Sequence, residues 1–176
     1  MQPERDAATR LRDRLQKRGI AIAVSGIDGS GKTTICKQLL DALTASGLPV
    51  THVHIYRWHR NLLYTPWLLL HNRWRARRVL LFDRTIFDNV AVAVAERRLP
   101  RRWLPAAVRV LCAFYPSFDY RFFLTAPFEE IAVRRPGTTA ARYSSMLELY
   151  RYIFSAVGFT ELRSDASLFA NVLRRI

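Results

Sequence analysis

Between Asp41 and Asp83 the chain carries no aspartate or glutamate. That stretch holds all four histidines and six arginines: Arg57, Arg60, Arg73, Arg75, Arg77 and Arg78. Lysine is scarce too. Lys17, Lys32 and Lys37 are the only ones among 28 basic residues, which leaves 25 arginines. The two cysteines, Cys36 and Cys112, are too few for a disulfide framework, so a reduced, cytoplasmic setting is expected. No run of 18 or more apolar residues exists, which excludes a membrane-spanning helix. The opening "MQPERDAATRLRDRLQKRG" alternates charge sign and lacks an apolar stretch, so it does not read as a signal peptide.

What is present outweighs these gaps. Half of the 176 residues are hydrophobic, which excludes a disordered chain and supplies one core. The formal charge of +14 invites nucleic acid, an anionic membrane or anionic small substrates, although a genome rich in arginine codons gives the same excess. Apolar runs at 20–25, 50–56, 79–83, 120–125 and 159–163 read as strands. Helical patterns fall at 4–18, 32–45, 61–76 (bent near Pro66), 85–98, 106–115, 127–135, 143–157 and 166–176. The alternation predicts an α/β fold: about five mostly parallel strands with helices on both faces, in one domain over 1–176. Residues 1–19 are then an N-terminal helical extension.

"GIDGSGKTT" lies between the first strand and the next helix and fits G-x-x-x-x-G-K-[ST] from Gly26 to Thr33. In such a loop the glycines let backbone N–H groups wrap phosphates, and the helix N-terminus adds its positive end. Lys32 reaches the β and γ phosphates of a nucleotide, and the Thr33 hydroxyl is a Mg2+ ligand. "VLLFDRTIFDN" then sets Asp83 and Arg84 at the C-terminal end of a buried strand, where open α/β sheets bind ligands. A carboxylate there can hold Mg2+ or its water, and the arginine can clamp an anion.

These motifs, with "PSFDYRFFLTAPFEEIAVRR" and "YSSMLELYRYI", resemble the thymidylate kinase family of P-loop kinases across most of 20–173. The resemblance implies ATP as donor with Mg2+, bound by Gly26, Gly29, Ser30, Gly31, Lys32, Thr33 and Thr34, with Thr33 and Asp83 at the metal. It implies that Asp28 lies against the acceptor and that Arg84 binds the acceptor's phosphate. It also implies a short basic lid, about 134–143, carrying Arg134, Arg135 and Arg142. Because the loop has no arginine of its own, the lid must neutralise charge on the transferred group. The resemblance further suggests a homodimer.

The family's Glu-Pro-Gly-Gly-Thr-like loop after the second strand is missing; "YRWHRNLLYTPW" stands there. Kinases of neutral hydroxyls need a positioned base, and sister deoxynucleoside kinases place a glutamate at that point. Here Arg57 and Arg60 occupy the region, which favours an acceptor that is already anionic. A nucleoside monophosphate such as dTMP is the first expectation; a sugar, lipid-linked or natural-product intermediate is the alternative. Asp28 or Asp83 acting as base for a hydroxyl stays open. A non-catalytic nucleotide-binding regulator is the reading from another class, against which stand Asp83-Arg84 and the absence of an Asn-Lys-x-Asp motif. The Arg/Trp/Leu stretch 56–78 reads as a helix covering the sheet, or as a weak contact with an anionic membrane surface. No nucleic-acid module is present, so no nucleic-acid partner is expected.

Overall fold

A computed structural model describes the chain except residues 1, 56, 57 and 116 and the side chains of 2–3 and 58–63. Five strands form one sheet in the order β2-β3-β1-β4-β5: β1 (Ile20–Gly26), β2 (Val50–His54), β3 (Val79–Asp83), β4 (Tyr120–Thr125) and β5 (Thr160–Arg163). Every pairing is parallel. All residues of β1 and β3 are buried, as continuous apolar runs covered on both faces must be.

The eight α-helices are α1 (Gln2–Lys17), α2 (Lys32–Ala45), α3 (Trp58–His71), α4 (Ile86–Ala95), α5 (Leu104–Phe114), α6 (Phe128–Arg134), α7 (Ala140–Val157) and α8 (Leu168–Arg175). Helices α1, α2 and α8 cover one face, against Ile20, Ile22, Val24, Leu81, Phe122 and Leu124. Helix α1 is more than a polar extension: Ala7, Ala8, Leu11 and Leu15 form a buried stripe at helical spacing. Helices α4, α5 and α7 cover the other face, and α3 lies over Ala21, Ala23, Leu80 and Phe82. The small Ala21 and Ala23 leave room for Phe82 to meet Phe118 edge-on at 5.2 Å.

An aromatic cluster fixes α7. Phe154 meets Phe123 at 5.2 Å, Tyr150 at 5.5 Å and Phe159 at 4.6 Å. Phe154→Ala is expected to lower stability by ~3–5 kcal/mol, read as a shifted urea midpoint, because the buried ring leaves a cavity its neighbours cannot fill.

Some boundaries differ from the sequence expectation. The second strand ends at His54, with Tyr56 outside the described residues. Helix α3 starts at Trp58, keeps Pro66 inside it, and gives way to a π-helical turn at Asn72–Ala76. That turn is pinned by Asn72, whose side-chain amide donates to the carbonyls of Ile20 (3.2 Å) and Arg78 (2.9 Å) and accepts from the Arg78 N–H (3.1 Å). Gly19 permits the contact, since a Cβ there would sit 2.2 Å from the Asn72 carbonyl oxygen. Helix α7 starts at Ala140, three residues early, because the Thr139 hydroxyl caps it by accepting the Arg142 N–H. Of the two thiols, Cys36 is buried under α2 and Cys112 is exposed on α5.

Candidate functional site

The site forms where β1 ends. Gly26 has φ 149°, and a Cβ there would lie 2.4 Å from the Leu124 carbonyl oxygen, so only glycine lets the loop leave the sheet here. Gly31, at φ 86°, turns the chain into α2. Lys32 opens that helix and is 4 % exposed. Its ammonium donates to the Ile27 carbonyl at 2.7 Å and lies 3.7 Å from the Asp28 carboxylate. Burial is the main reason its pKa is lowered, and the nearby Arg84 adds to this.

Parallel pairing of β1 with β3 puts Asp83 beside Val24. Asp83 is fully buried, and its Oδ2 accepts from the Thr33 hydroxyl at 2.9 Å and meets His54 Nδ1 at 3.1 Å. Its other oxygen, Oδ1, is buried without a hydrogen-bond partner among the described residues. An orphaned carboxylate oxygen beside a hydroxyl is a hard oxygen donor set, which suits Mg2+. Thr33 and Asp83 could hold that ion; a Cys36 sulfur and a His52 ring nitrogen also lie within 4.8 Å of the Asp83 carboxylate.

Arg84 follows with φ 80°, a conformation rare for a residue with a side chain. Its guanidinium donates to Asp28 Oδ1 at 2.6 Å. Burial would raise the Asp28 carboxyl, but Lys32 and Arg84 outweigh it and hold the group below its ordinary 3.8. A depressed folded-state pKa stabilises the fold above 3.8, and that contribution is lost only as pH falls through the lower folded value. At neutral pH, Asp28 is an ion-pair partner and a poor proton acceptor.

Asp88 was not singled out by sequence reasoning, and it is the hub of the loop's base. It is 1 % exposed and accepts from Ser25 Oγ (2.7 Å), the Thr85 N–H (2.7 Å) and the Gly26 N–H (3.3 Å). Thr85 and Asp88 form a capping box at the start of α4, a T-x-x-D signal legible in the sequence. His54 was missed as well, and no sequence signal marks it.

On the far side, Arg134 at the end of α6 donates to the Gly29 carbonyl at 2.8 Å and pairs with Glu130 at 2.9 Å. Two cavities meet here. One, about 570 Å³, is walled by the phosphate loop, Thr34, Arg84, Arg134, Arg135 and the turn from Ser164 to Phe169. The other, about 680 Å³, is walled by Val92, Ala95, Glu96, Arg142, Tyr143, Met146 and Tyr150. Asp28 and Arg135 line both. Of the sequence-predicted residues, Asp28, Gly29, Gly31, Lys32, Thr33, Thr34, Arg84, Arg134 and Arg135 line the first cavity, and Arg142 only the second. Gly26, Ser30 and Asp83 lie behind them, Ser30 and Asp83 buried and Gly26 as the last residue of β1. Arg57 falls outside the described residues, as does the side chain of Arg60.

The architecture matches solved structures. Thymidylate kinase from Candida albicans superposes with a TM-score of 0.55 at 17% identity, over 90% of this chain and 88% of that one. A putative polyphosphate kinase 2 from Pseudomonas aeruginosa gives 0.64 at 17% identity, over 98% of this chain and 44% of that one. Polyphosphate kinase 2 from Arthrobacter aurescens gives 0.63 at 11% identity, over 97% and 72%. The chain has the P-loop kinase fold. It spans less than half the length of the Pseudomonas chain. No family model and no curated protein sequence matches, so the likeness lies in the P-loop kinase fold and not in close sequence kinship.

Proposed function

We propose that the chain is an ATP- and Mg2+-dependent phosphotransferase that moves the γ-phosphate of ATP to a nucleoside monophosphate, dTMP or a similar one. The observation that carries this reading is the pair of cavities sharing Asp28 and Arg135 beside the phosphate loop. A kinase of two small molecules needs two compartments that meet where the phosphoryl group crosses. The first cavity has the phosphate-binding loop and suits the donor. The second combines Arg135 and Arg142 with Tyr143, Tyr150 and Met146, which suits an anion attached to a flat ring.

In this reading an acceptor phosphate oxygen attacks the γ-phosphorus, the bond to the β–γ bridging oxygen breaks, and ADP leaves. Lys32 leaves the Ile27 carbonyl for the β and γ phosphates. Asp28 holds Arg84 in the wall of the first cavity, from which it would meet the acceptor's phosphate where the two cavities join. Arg134 and Arg135 offset charge on the transferred group, on a short lid over about 134–143. Bound Mg2+ at Thr33 and Asp83 supplies neutralisation of phosphate charge. No base is required of Asp28, which agrees with its lowered pKa.

Polyphosphate as a substrate is the second reading, favoured by the higher TM-scores of the two polyphosphate kinase structures. The deciding experiment is ADP release from Mg-ATP over a panel of acceptors: nucleoside monophosphates, neutral sugars and nucleosides, and inorganic polyphosphate. Turnover on a monophosphate supports the first reading. Turnover on neutral hydroxyls alone would sink the argument from the missing base. ATP binding without turnover on any acceptor favours a regulatory nucleotide-binding protein. Asp28→Ala should raise the acceptor KM roughly 10- to 100-fold, the worth of a hydrogen bond to a charged group, and change the Kd for ATP less, since Asp28 also lines the first cavity beside Lys32. Unaltered acceptor kinetics would remove Asp28 from this role.

A further inference from the structure

Helix α3 and the π-helical turn after it are apolar on two sides. Thr65, Leu69 and Asn72 face inward and are buried. Tyr64, Trp67, Leu70 and Trp74 face outward, 52 %, 56 %, 47 % and 76 % exposed. Among the described residues nine large apolar side chains are exposed, and these four lie within eleven consecutive positions, which makes this a patch and not scatter. The patch is ordered by stacking: Tyr64 on Trp67 at 5.9 Å, and Trp67 on His71 at 5.1 Å. Arg73, Arg75, Arg77 and Arg78 follow in the same acid-free stretch: Arg75 is exposed, Arg73 lies 3.9 Å from Asp119, and Arg77 and Arg78 donate to the Gln16 carbonyl and the Thr51 hydroxyl, each at 3.3 Å. Among the described residues no carboxylate pairs with Arg75, Arg77 or Arg78. Asn72 holds the turn against Ile20 and Arg78, so Trp74 is presented by an anchored segment.

We infer that this face docks the protein on an anionic lipid surface. Tryptophan and tyrosine favour the boundary between acyl chains and headgroups, and arginines beside them meet the negative charge of the lipids. Among the described residues no helix is long and apolar enough to cross a membrane, so the proposed contact is peripheral. A second copy of the chain fits less well, because two such faces would bring arginines together with no acid between them. Nucleic acid also fits less well, because the Tyr64, Trp67 and His71 rings already stack on one another and offer few open faces to bases. The turn adjoins Gly19 and Arg78, just before β1 and β3, whereas both cavities open at the opposite ends of those strands. Docking through this face leaves the cavities open to solution.

The test is co-sedimentation of the full chain with vesicles of phosphatidylcholine alone and of phosphatidylcholine mixed with phosphatidylglycerol. Binding to the mixed vesicles should be at least about tenfold stronger and should weaken in high salt. Trp67→Ala with Trp74→Ala should lower it about tenfold while the melting temperature holds, since both rings are exposed. In the unaltered chain, brominated lipid should quench tryptophan fluorescence, a measurement that does not depend on any variant folding. Equal binding to both vesicle types, undiminished binding by the double variant, or absent quenching would each overturn the inference. So would a dimer, or retention of a single-stranded oligonucleotide, that the double variant abolishes.

Discussion

Lys32→Ala should lower kcat/KM for phosphoryl transfer roughly 10³-fold, the scale seen when a preorganised group is removed from developing transition-state charge. The loss should fall mainly on kcat, because a group that follows the transferred phosphate counts most in the transition state. The same variant should not melt lower than the unaltered chain in the absence of nucleotide. Lys32 is buried, and its folded-state pKa is lowered. A lysine whose folded pKa lies below its unfolded value disfavours folding at every pH where it is charged in the unfolded chain, so its removal relieves that strain near neutrality. Steady-state kinetics read the first half, and thermal melts without nucleotide read the second. Unimpaired turnover would remove Lys32 from the chemistry. A large fall in melting temperature without nucleotide would show that its bond to the Ile27 carbonyl outweighs its desolvation.

Asp88→Ala should destabilise the fold by ~3–5 kcal/mol, the usual consequence of breaking a buried charged network. Its carboxylate satisfies the Gly26 and Thr85 N–H groups and the Ser25 hydroxyl, all within the buried base of the phosphate loop. Alanine leaves the Gly26 and Thr85 N–H groups without an acceptor where water does not reach them, while the Ser25 hydroxyl keeps Thr85 Oγ1 at 3.1 Å, and each orphaned group costs about 1–3 kcal/mol. Asp88→Asn keeps the shape and one acceptor oxygen, so its effect should be smaller. Urea unfolding of both variants gives the comparison. A midpoint change equivalent to less than about 1 kcal/mol for Asp88→Ala would mean that the loop's base repacks around the gap. Asp88 lines neither cavity, but its charge acts on Lys32 and Arg84, so activity lost in this variant reports a displaced loop together with an altered field at those two cations.

The layered sheet could be read from the chain because its signals are local. The apolar runs of β1 and β3 have no other stable use than strands covered on both sides. The phosphate loop was legible because its backbone conformation demands glycine at Gly26 and Gly31, and a demand of that kind leaves a fixed spacing. Asp88 was legible in principle through its capping box. His54 was not: its approach to Asp83 depends on the register of β2 against β3, and parallel neighbours separated by a long crossover leave no mark of register in sequence. The first cavity's far wall, Ser164 to Phe169, lies far from the loop in sequence and is brought to it by the β4–β5 pairing and by the packing of α8 on α2. The stripe on α1 was hidden because alanines at Ala7 and Ala8 look neutral beside so many charges. The aromatic patch at 64–74 ran against the ordinary assumption that tryptophan on a sheet-covering helix faces the core.

The two cysteines differ in environment, Cys36 buried and Cys112 exposed. Burial pushes the Cys36 thiol far up, and the nearby Asp83 adds to this, so it is neither ionised nor reachable while α2 stays on the sheet. Cys112 stands on the surface of α5. A thiol reagent therefore meets one open site, Cys112, whose thiol burial still pushes up, and one clock. Labelling of Cys112 follows the chemistry of the reagent, whereas labelling of Cys36 waits for the phosphate-loop helix to lift, and its rate measures how often that opening happens. Because any ligand that binds the closed loop stabilises it by mass action, candidate nucleotides can be ranked by how much they slow Cys36 modification, with no assay of turnover and no knowledge of the acceptor.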